Sequence, residues 1–261
     1  MPVYDKPLIH YPLGTLMLAG VRDILIITTP EDSESFRRLL GDGTSLGIRL
    51  SYTTQSKPEG LAQAFIIAED FIGDENVCLI LGDNIFHGVG LGRQLERFET
   101  LEGAHIFAYE VSNPSSYGVV QFDSTGVAIS LEEKPIVPKS RYAVPGIYFY
   151  DSSVVTYAKQ LRPSARNELE ITDLNRVYLE KNLLSVSILD RGTAWMDTGT
   201  IESLQDAANY VQIIENRQGN KVSCLEEIAW RRNWISDTDL RDLAKAFPNN
   251  SYGNYLSQLC S

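Results

Sequence analysis

Two aspartates at the ends of apolar runs carry the most pointed chemical signal in this chain. "LILGDN" places Gly82 and Asp83 just past a near-continuous apolar stretch, and "AWMDTGT" places Asp197 at the head of a glycine-containing turn. In open α/β sheets, ligands bind beyond the carboxyl ends of strands. A carboxylate there can hold Mg²⁺, which takes few protein ligands and fills the rest with water and phosphate oxygens. Each acid alone reads as ordinary: one in a strand-end turn, the other near a helix N-terminus, where Asp is common. Together they are suggestive of one shared ion.

Three further stretches have the residue types for a phosphorylated ligand. "LEEKP" sets Glu133 and Lys134 before a proline. Glu133 can accept hydrogen bonds from a sugar diol, and Lys134 can meet a phosphate as a point charge. The plain alternative is a solvated charge pair. "QSKPEGLAQAF" holds Gln55, whose two-sided amide can read a base edge, or is simply a strand–turn–helix loop. "SSYGVV" holds Gly118, which lets a ligand pass close or permits a bulge. Trp195 reads as packing, although it stands two positions from Asp197. No Ser-His-Asp or Cys-His spacing favours a nucleophile.

These residues need a frame, and the first two thirds of the chain supply one by alternating strand and helix. Leu8 to Ala19 is apolar at helical spacing and stops at Gly20. "DILIITTPED" reads as a buried strand, and Ser33 as the cap of the helix "SESFRRLL", which stops at "GDG". "IRLSYTTQ" reads as a strand and "EGLAQAFIIAEDFIG" as one amphipathic helix. "VCLILGD" has the continuous apolar character of a parallel strand covered on both faces. This is the rhythm of a doubly wound sheet. From His105 the pattern turns strand-rich: "HIFAYEV", "GVVQFD", "VAISLEE" and "AVPGIYFYD", with "DSTG" as a hairpin turn. "SVVTYAKQL" and "LEITDLNRVYLEKN" read as helices and "LSVSILD" as the last strand. From Ile201 the chain reads as mostly helical and more polar.

Composition bounds the rest. The chain has 261 residues, 43% hydrophobic and 22% charged, with a formal net charge of −11. That charge argues against nonspecific binding to a nucleic acid polymer or an anionic membrane. Three scattered cysteines suggest reduced thiols in the cytosol rather than a disulfide framework or zinc spacing. Three histidines make a histidine-rich metal site unpromising. No run has the length of a membrane span, and no signal peptide or internal repeat is seen.

The order and wording of these segments say more than each alone. "YDKPLIHYPLGTLMLAG", "PEGLAQAF", "LGDNIF", "YGVVQFD", "SLEEKP", "GIYFYD", "ELEITDLN", "AWMDTGT" and "KVSCLEEIAWR" closely resemble the bacterial glucose-1-phosphate thymidylyltransferases of the short type, which lack an acyltransferase β-helix. The resemblance covers essentially the whole chain. It implies a Rossmann-like mixed sheet flanked by helices, with a strand-rich sugar-binding part. Residues 1–200 would form the nucleotidyltransferase domain, and 201–261 a helical extension packed on it and in an oligomer interface. The implied reaction joins dTTP and glucose 1-phosphate into dTDP-glucose and pyrophosphate, toward dTDP-rhamnose, in a cytoplasmic homotetramer.

Carried over position by position, the resemblance implies Asp83 and Asp197 as Mg²⁺ ligands and Gln55 and Gly60 as thymine contacts. Tyr117, Gly118, Glu133 and Lys134 fall on the sugar-phosphate site, with Val144 and Tyr148 lining the sugar pocket and Trp195 beside the second aspartate. The departure is at the front. The family opens with a central strand and a Gly-Gly-x-Gly-Thr-Arg-Leu loop whose amides and arginine serve the triphosphate, and "MPVYDKP" stands after them. The expectation is a gap in the sheet beside "ILIITT" and "VCLILGD" and an impaired triphosphate site. The alternatives are a related transferase using UTP, CTP or ATP, or a noncatalytic subunit that binds sugar phosphate or nucleotide.

Overall fold

The computed structural model describes residues 1–98 and 100–260. The chain opens on a short hairpin of β1 (Pro2–Val3) and β2 (Lys6–Pro7), turned at Tyr4, whose φ is 55°. Helix α1 (His10–Leu18) follows and ends where Gly20, at φ 87°, lets Val21 N–H return to the Leu16 carbonyl at 3.0 Å. β3 (Asp23–Thr28) then leads to α2 (Ser33–Leu40). Ser33 is the first helical residue and not the cap. Asp32 takes the cap position, and its side chain is engaged by Thr29 Oγ1 at 2.9 Å.

β4 (Arg49–Thr54) pairs in parallel with β3. The amphipathic segment after it is two helices, α3 (Gln63–Ile67) and α4 (Glu69–Ile72), broken at Ala68. β5 (Val77–Ile80) comes next, then β6 (Asn84–His87) and α5 (Leu91–Leu95). β5 is half-buried and pairs antiparallel with one strand, rather than lying covered between parallel neighbours.

The strand-rich part holds β7 (Ala104–Glu110), β8 (Gly118–Phe122), β9 (Ala128–Glu133), β10 (Tyr142–Ala143) and β11 (Ile147–Tyr150). Between β8 and β9 the Asp123 carboxylate accepts the N–H groups of Thr125 and Val127 at 2.8 and 3.0 Å, which sets the expected hairpin turn. Then come α6 (Val154–Gln160), α7 (Ile171–Glu180) and β12 (Leu184–Ile188). β12 is not the last strand: β13 (Ala194–Asp197) follows it and carries the second aspartate. The tail is helical: α8 (Ile201–Gln218), α9 (Leu225–Arg231), α10 (Asp237–Ala244) and α11 (Ser251–Leu259).

The main sheet runs β5-β11-β7-β10-β8-β9, and β12 joins β7 in parallel. β7 is its trunk, and the period-two rule divides its side chains between two layers. Ala104, Ile106 and Ala108 face a core with Phe65, Tyr150, Leu174 and Tyr178 from α3, β11 and α7. Phe107 faces the opposite core with Phe86, Leu91, Leu95 and Phe149. Each buried aromatic of this kind contributes about 1.5–3 kcal/mol of transfer free energy. A third core joins α1, β3 and β4 to α9, α10 and α11, so the C-terminal helices pack on the same body.

β3 and β5 face each other across a slot. Among the described residues neither has a ladder partner on that side. Cavities of about 170 and 230 Å³ lie between them, lined by Leu25, Ile27, Leu79 and Ile80 among others. The unpaired backbone expected beside "ILIITT" and "VCLILGD" is present. The opening hairpin is pinned elsewhere. Lys6 Nζ meets Asp5 at 2.5 Å and Glu215 at 3.0 Å, and Lys221 Nζ meets the same two acids at 2.5 and 2.6 Å. Glu215 is only 6% exposed, so this alternating quartet gives a buried carboxylate two cationic partners. Among the described residues no helix is long and apolar enough to cross a membrane.

Candidate functional site

The convergence of Asp83 and Asp197 is a matter of strand register. β6 and β13 pair antiparallel with Asn84 opposite Asp197, so Asp83 stands one residue before a rung that ends on the second acid. Thr198 closes the pair: its N–H and its hydroxyl both donate to the Asp83 carbonyl, at 3.0 and 2.7 Å. Gly199 N–H donates to Asp197 Oδ1 at 2.9 Å. A Cβ at Gly199 would lie 3.1 Å from Asp197 Oδ1 and 4.0 Å from Asp83 Oδ2, which locates both carboxylates at one turn. Thr200 then caps α8 in a reciprocal box with Ser203.

Burial raises the Asp197 carboxyl above its ordinary range. The Gly199 N–H opposes that, the Asp83 charge adds to it, and Lys134 opposes it from across the site. Two carboxylates brought to one turn are a donor set suited to a hard divalent cation, which takes oxygen ligands. Among the described residues no group of three or more His, Cys, Asp or Glu is placed to hold a metal, so an ion here would take few ligands from the protein.

Beside the acids opens a cavity of about 150 Å³. The sequence-derived sugar set meets here: Tyr117, Gly118, Glu133, Lys134, Val144, Tyr148 and Trp195 all line it, together with Asp197. Glu133 ends β9, and Gly118 opens β8 directly opposite it. The Glu133 carboxylate accepts from Thr172 Oγ1 at 2.5 Å and Arg166 Nη2 at 3.3 Å. Arg166 is itself held by Glu170 at 2.7 Å. Burial alone would raise the Glu170 carboxyl, but the bonds from Arg166 and Ser164 bring it below its ordinary range. Lys134 adopts φ 42°, a left-handed conformation that costs a non-glycine residue about 1–2 kcal/mol. Its N–H donates to the Tyr117 carbonyl at 3.0 Å, which holds this conformation. The Tyr117 ring packs on Trp195 with centroids 4.9 Å apart. Trp195 is therefore both packing and lining.

Gln55 and Gly60 are not in that cavity. They line the adjoining 230 Å³ space, which shares Leu61 and Leu81 with it. Gln55 Nε2 is already engaged by the Gly60 carbonyl at 3.3 Å and by Gln63 Oε1 at 2.5 Å. Gly60, at φ 101°, is required by packing: a Cβ there would come within 2.4 Å of the Leu169 backbone. Thr172 and Asn84, which also line the cavity, and Arg166, which bonds Glu133, are not singled out by the sequence. "LGDN" and "ELEITDLN" contain two of them in plain view, but nothing local to either stretch says which side chains point inward.

A family model described as nucleotidyl transferase matches residues 1–213. The glucose-1-phosphate thymidylyltransferase of Mycobacterium tuberculosis (strain H37Rv) is 58% identical over 259 residues, which are 99% of this chain and 90% of that protein. The glucose-1-phosphate thymidylyltransferase of Neisseria meningitidis serogroup A is also 58% identical, over 260 residues, with the same coverage. A solved structure of a Bacillus anthracis protein assigned as a glucose-1-phosphate thymidylyltransferase, in complex with sucrose, superposes with a TM-score of 0.74 at 40% identity, over 80% of this chain and 84% of that one. A UDP-glucose pyrophosphorylase bound to UDP-glucose shares the fold with a TM-score of 0.68 at 23% identity, over 82% and 89% of the two chains.

Proposed function

Because the chain belongs to the nucleotidyl transferase family, on the branch of the glucose-1-phosphate thymidylyltransferases, we propose that it joins dTTP to glucose 1-phosphate, giving dTDP-glucose and pyrophosphate. The observation that carries this reading is one cavity in which a hydrogen-bonded carboxylate (Glu133), a cation (Lys134) and an acid of a convergent pair (Asp197) meet. Those are the groups a sugar diol, its phosphate and a divalent ion would need.

The bond formed is between a phosphate oxygen of glucose 1-phosphate and the α-phosphorus of dTTP. The bond broken is between that phosphorus and the oxygen leading to pyrophosphate, which leaves with the electron pair. Such a displacement asks for alignment and charge neutralisation more than for a proton carrier. Glu133, preset by Thr172 and Arg166, would accept hydrogen bonds from the sugar hydroxyls. Lys134, fixed by its strained backbone, would meet the sugar phosphate. Tyr117, Val144, Tyr148 and Trp195 would enclose the ring and exclude water, while Gly118 gives the ligand room. Gln55 and Gly60 in the adjoining cavity would serve the thymine. Asp83 and Asp197 would hold Mg²⁺, which when bound supplies positive charge to the phosphate oxygens. The same reading carries a homotetramer, and Ile201 and Ile213, exposed on α8, are apolar residues available to an interface.

The test is pyrophosphate release from glucose 1-phosphate with dTTP, UTP, CTP or ATP, in the presence of Mg²⁺. Product with dTTP that falls at least about 100-fold in Asp83→Asn and in Asp197→Asn supports the reading, since groups aimed at developing charge contribute that much. Equal rates with UTP and dTTP would move the assignment to a uridylyl donor. Glucose 1-phosphate binding with no product from any nucleotide, also after the family's opening strand and Gly-rich loop are joined ahead of residue 1, would make the chain a binding subunit.

A further inference from the structure

Asn84 is 2% exposed and lies between the two halves of the site. Its side chain touches three elements. Trp195 Nε1, on β13, donates to Asn84 Oδ1 at 2.6 Å. Gly146 N–H, in the turn between β10 and β11, donates to the same oxygen at 3.1 Å. On the other side, Asn84 Nδ2 donates to Asp83 Oδ1 at 2.8 Å. The orientation of the amide follows from its neighbours: an indole N–H and a backbone N–H can only donate, so the atom they share must be the oxygen. The NH₂ group is left facing the carboxylate. Gly146 is needed for this approach, because a Cβ there would sit 2.7 Å from Asn84 Oδ1.

We propose that Asn84 is a positioning residue that fixes the Asp83 carboxylate and ties it to the wall of the sugar cavity through Trp195 and Gly146. A carboxylate at a strand end has two free torsions, and in a loose state its oxygens sweep a range of directions. Here one oxygen is held by a donor that cannot turn, because turning the amide would set its NH₂ against two donors. The other oxygen, Oδ2, lies toward Gly199 and Asp197 and stays available. Trp195 thus acts on Asp83 without touching it. Moving the indole removes the shorter of the two bonds that fix the amide, and an amide held by Gly146 alone selects the carboxylate orientation less strictly. The preset orientation spares a bound cation the ordering of its ligand, which is how outer-sphere hydrogen bonds strengthen metal sites.

The inference rests on the reading of Asp83 as a cation ligand, and the experiment separates the two. Mn²⁺ binding is measured from the free-ion electron paramagnetic resonance signal, without nucleotide or sugar, on the wild type and on Asp83→Asn, Asn84→Leu and Trp195→Phe. Circular dichroism and thermal unfolding report the fold of each. Loss of binding in Asp83→Asn establishes the ligand. A rise in the Mn²⁺ Kd of about 10–100-fold in Asn84→Leu, the usual effect of removing an outer-sphere partner, supports the proposal, with Trp195→Phe shifted in the same direction by a smaller factor. A purely structural asparagine would lower the melting temperature and leave the Mn²⁺ Kd of the folded variant unchanged, and that result overturns the proposal. If Asn84→Leu does not fold, Trp195→Phe decides: wild-type affinity there overturns the link, and weakened affinity supports it. Wild-type binding in Asp83→Asn overturns both this proposal and the ligand reading beneath it.

Discussion

Thr198 holds the main-chain carbonyl of Asp83 from two directions, by its own N–H and by its hydroxyl. The two acid-bearing turns are thereby closed on each other by a residue that is neither acid nor ligand. Thr198 is 4% exposed, so its hydroxyl makes this bond in place of one to water. Thr198→Val keeps the shape and the N–H bond and removes one donor. The expected cost is about 1 kcal/mol of folding stability, the net worth of one buried hydrogen bond whose acceptor keeps a second partner. Urea unfolding with an unchanged m-value would measure it, and a variant as stable as the wild type would show that the hydroxyl contributes nothing.

Gly118 bears on a different contact. Its backbone has no positive φ, so alanine is conformationally allowed. The added Cβ, however, would stand 3.0 Å from Thr172 Oγ1 and 3.4 Å from Glu133 Oε2, against the bond those two atoms make. Gly118→Ala should therefore leave stability nearly unchanged and loosen Glu133. The expected outcome is a KM for glucose 1-phosphate raised about tenfold, equivalent to about 1.4 kcal/mol and within the worth of a hydrogen bond to a charged group. The KM for dTTP should change far less. Equal shifts in both would argue that Glu133 does not serve the sugar.

How much of this could be read from the sequence differs between the acids and their surroundings. Asp83 and Asp197 were visible because each closes a short apolar run, and a strand end is where the backbone stops consuming its own polar groups. Their meeting was not visible. It depends on β6 and β13, four residues each, paired across a long stretch of chain. Strands that short carry too little period-two pattern to declare a face or a partner. The helix expected across "EGLAQAFIIAEDFIG" shows the same limit. Propensity favours one helix, but Gly60 must pass close against Leu169, and the segment breaks at Ala68 as two short helices. Arg166 and Thr172 were missed because they lie in the loop before α7 and in its first turn, where chain direction alone decides which side chains reach Glu133.

His105 lies on β7, away from the site, and gives the fold a pH dependence. It is 4% exposed, stacks on Phe98 with centroids 4.0 Å apart, and bonds Ser185 Oγ through Nδ1 at 2.7 Å. Its Nε2 has no hydrogen-bond partner among the described residues, so a proton placed there would be buried and unpaired. Burial pushes its pKa down from 6.5 to about 4. His10 is pushed to about 4 as well, by burial first and then by the Lys6 charge. A base with a depressed folded-state pKa stays neutral in the native protein while the unfolded chain takes up a proton. Its contribution to stability is complete above pH 6.5 and is lost as pH falls toward 4, because in that window the unfolded state binds more protons. His105→Phe keeps the stacking and removes the titration. Unfolding free energies stepped from about pH 7.5 to about pH 4.5 should fall less steeply for the variant than for the wild type, with the curves closest above pH 6.5. Parallel slopes would mean that His105 is protonated in the native state and that its burial is not what the packing indicates.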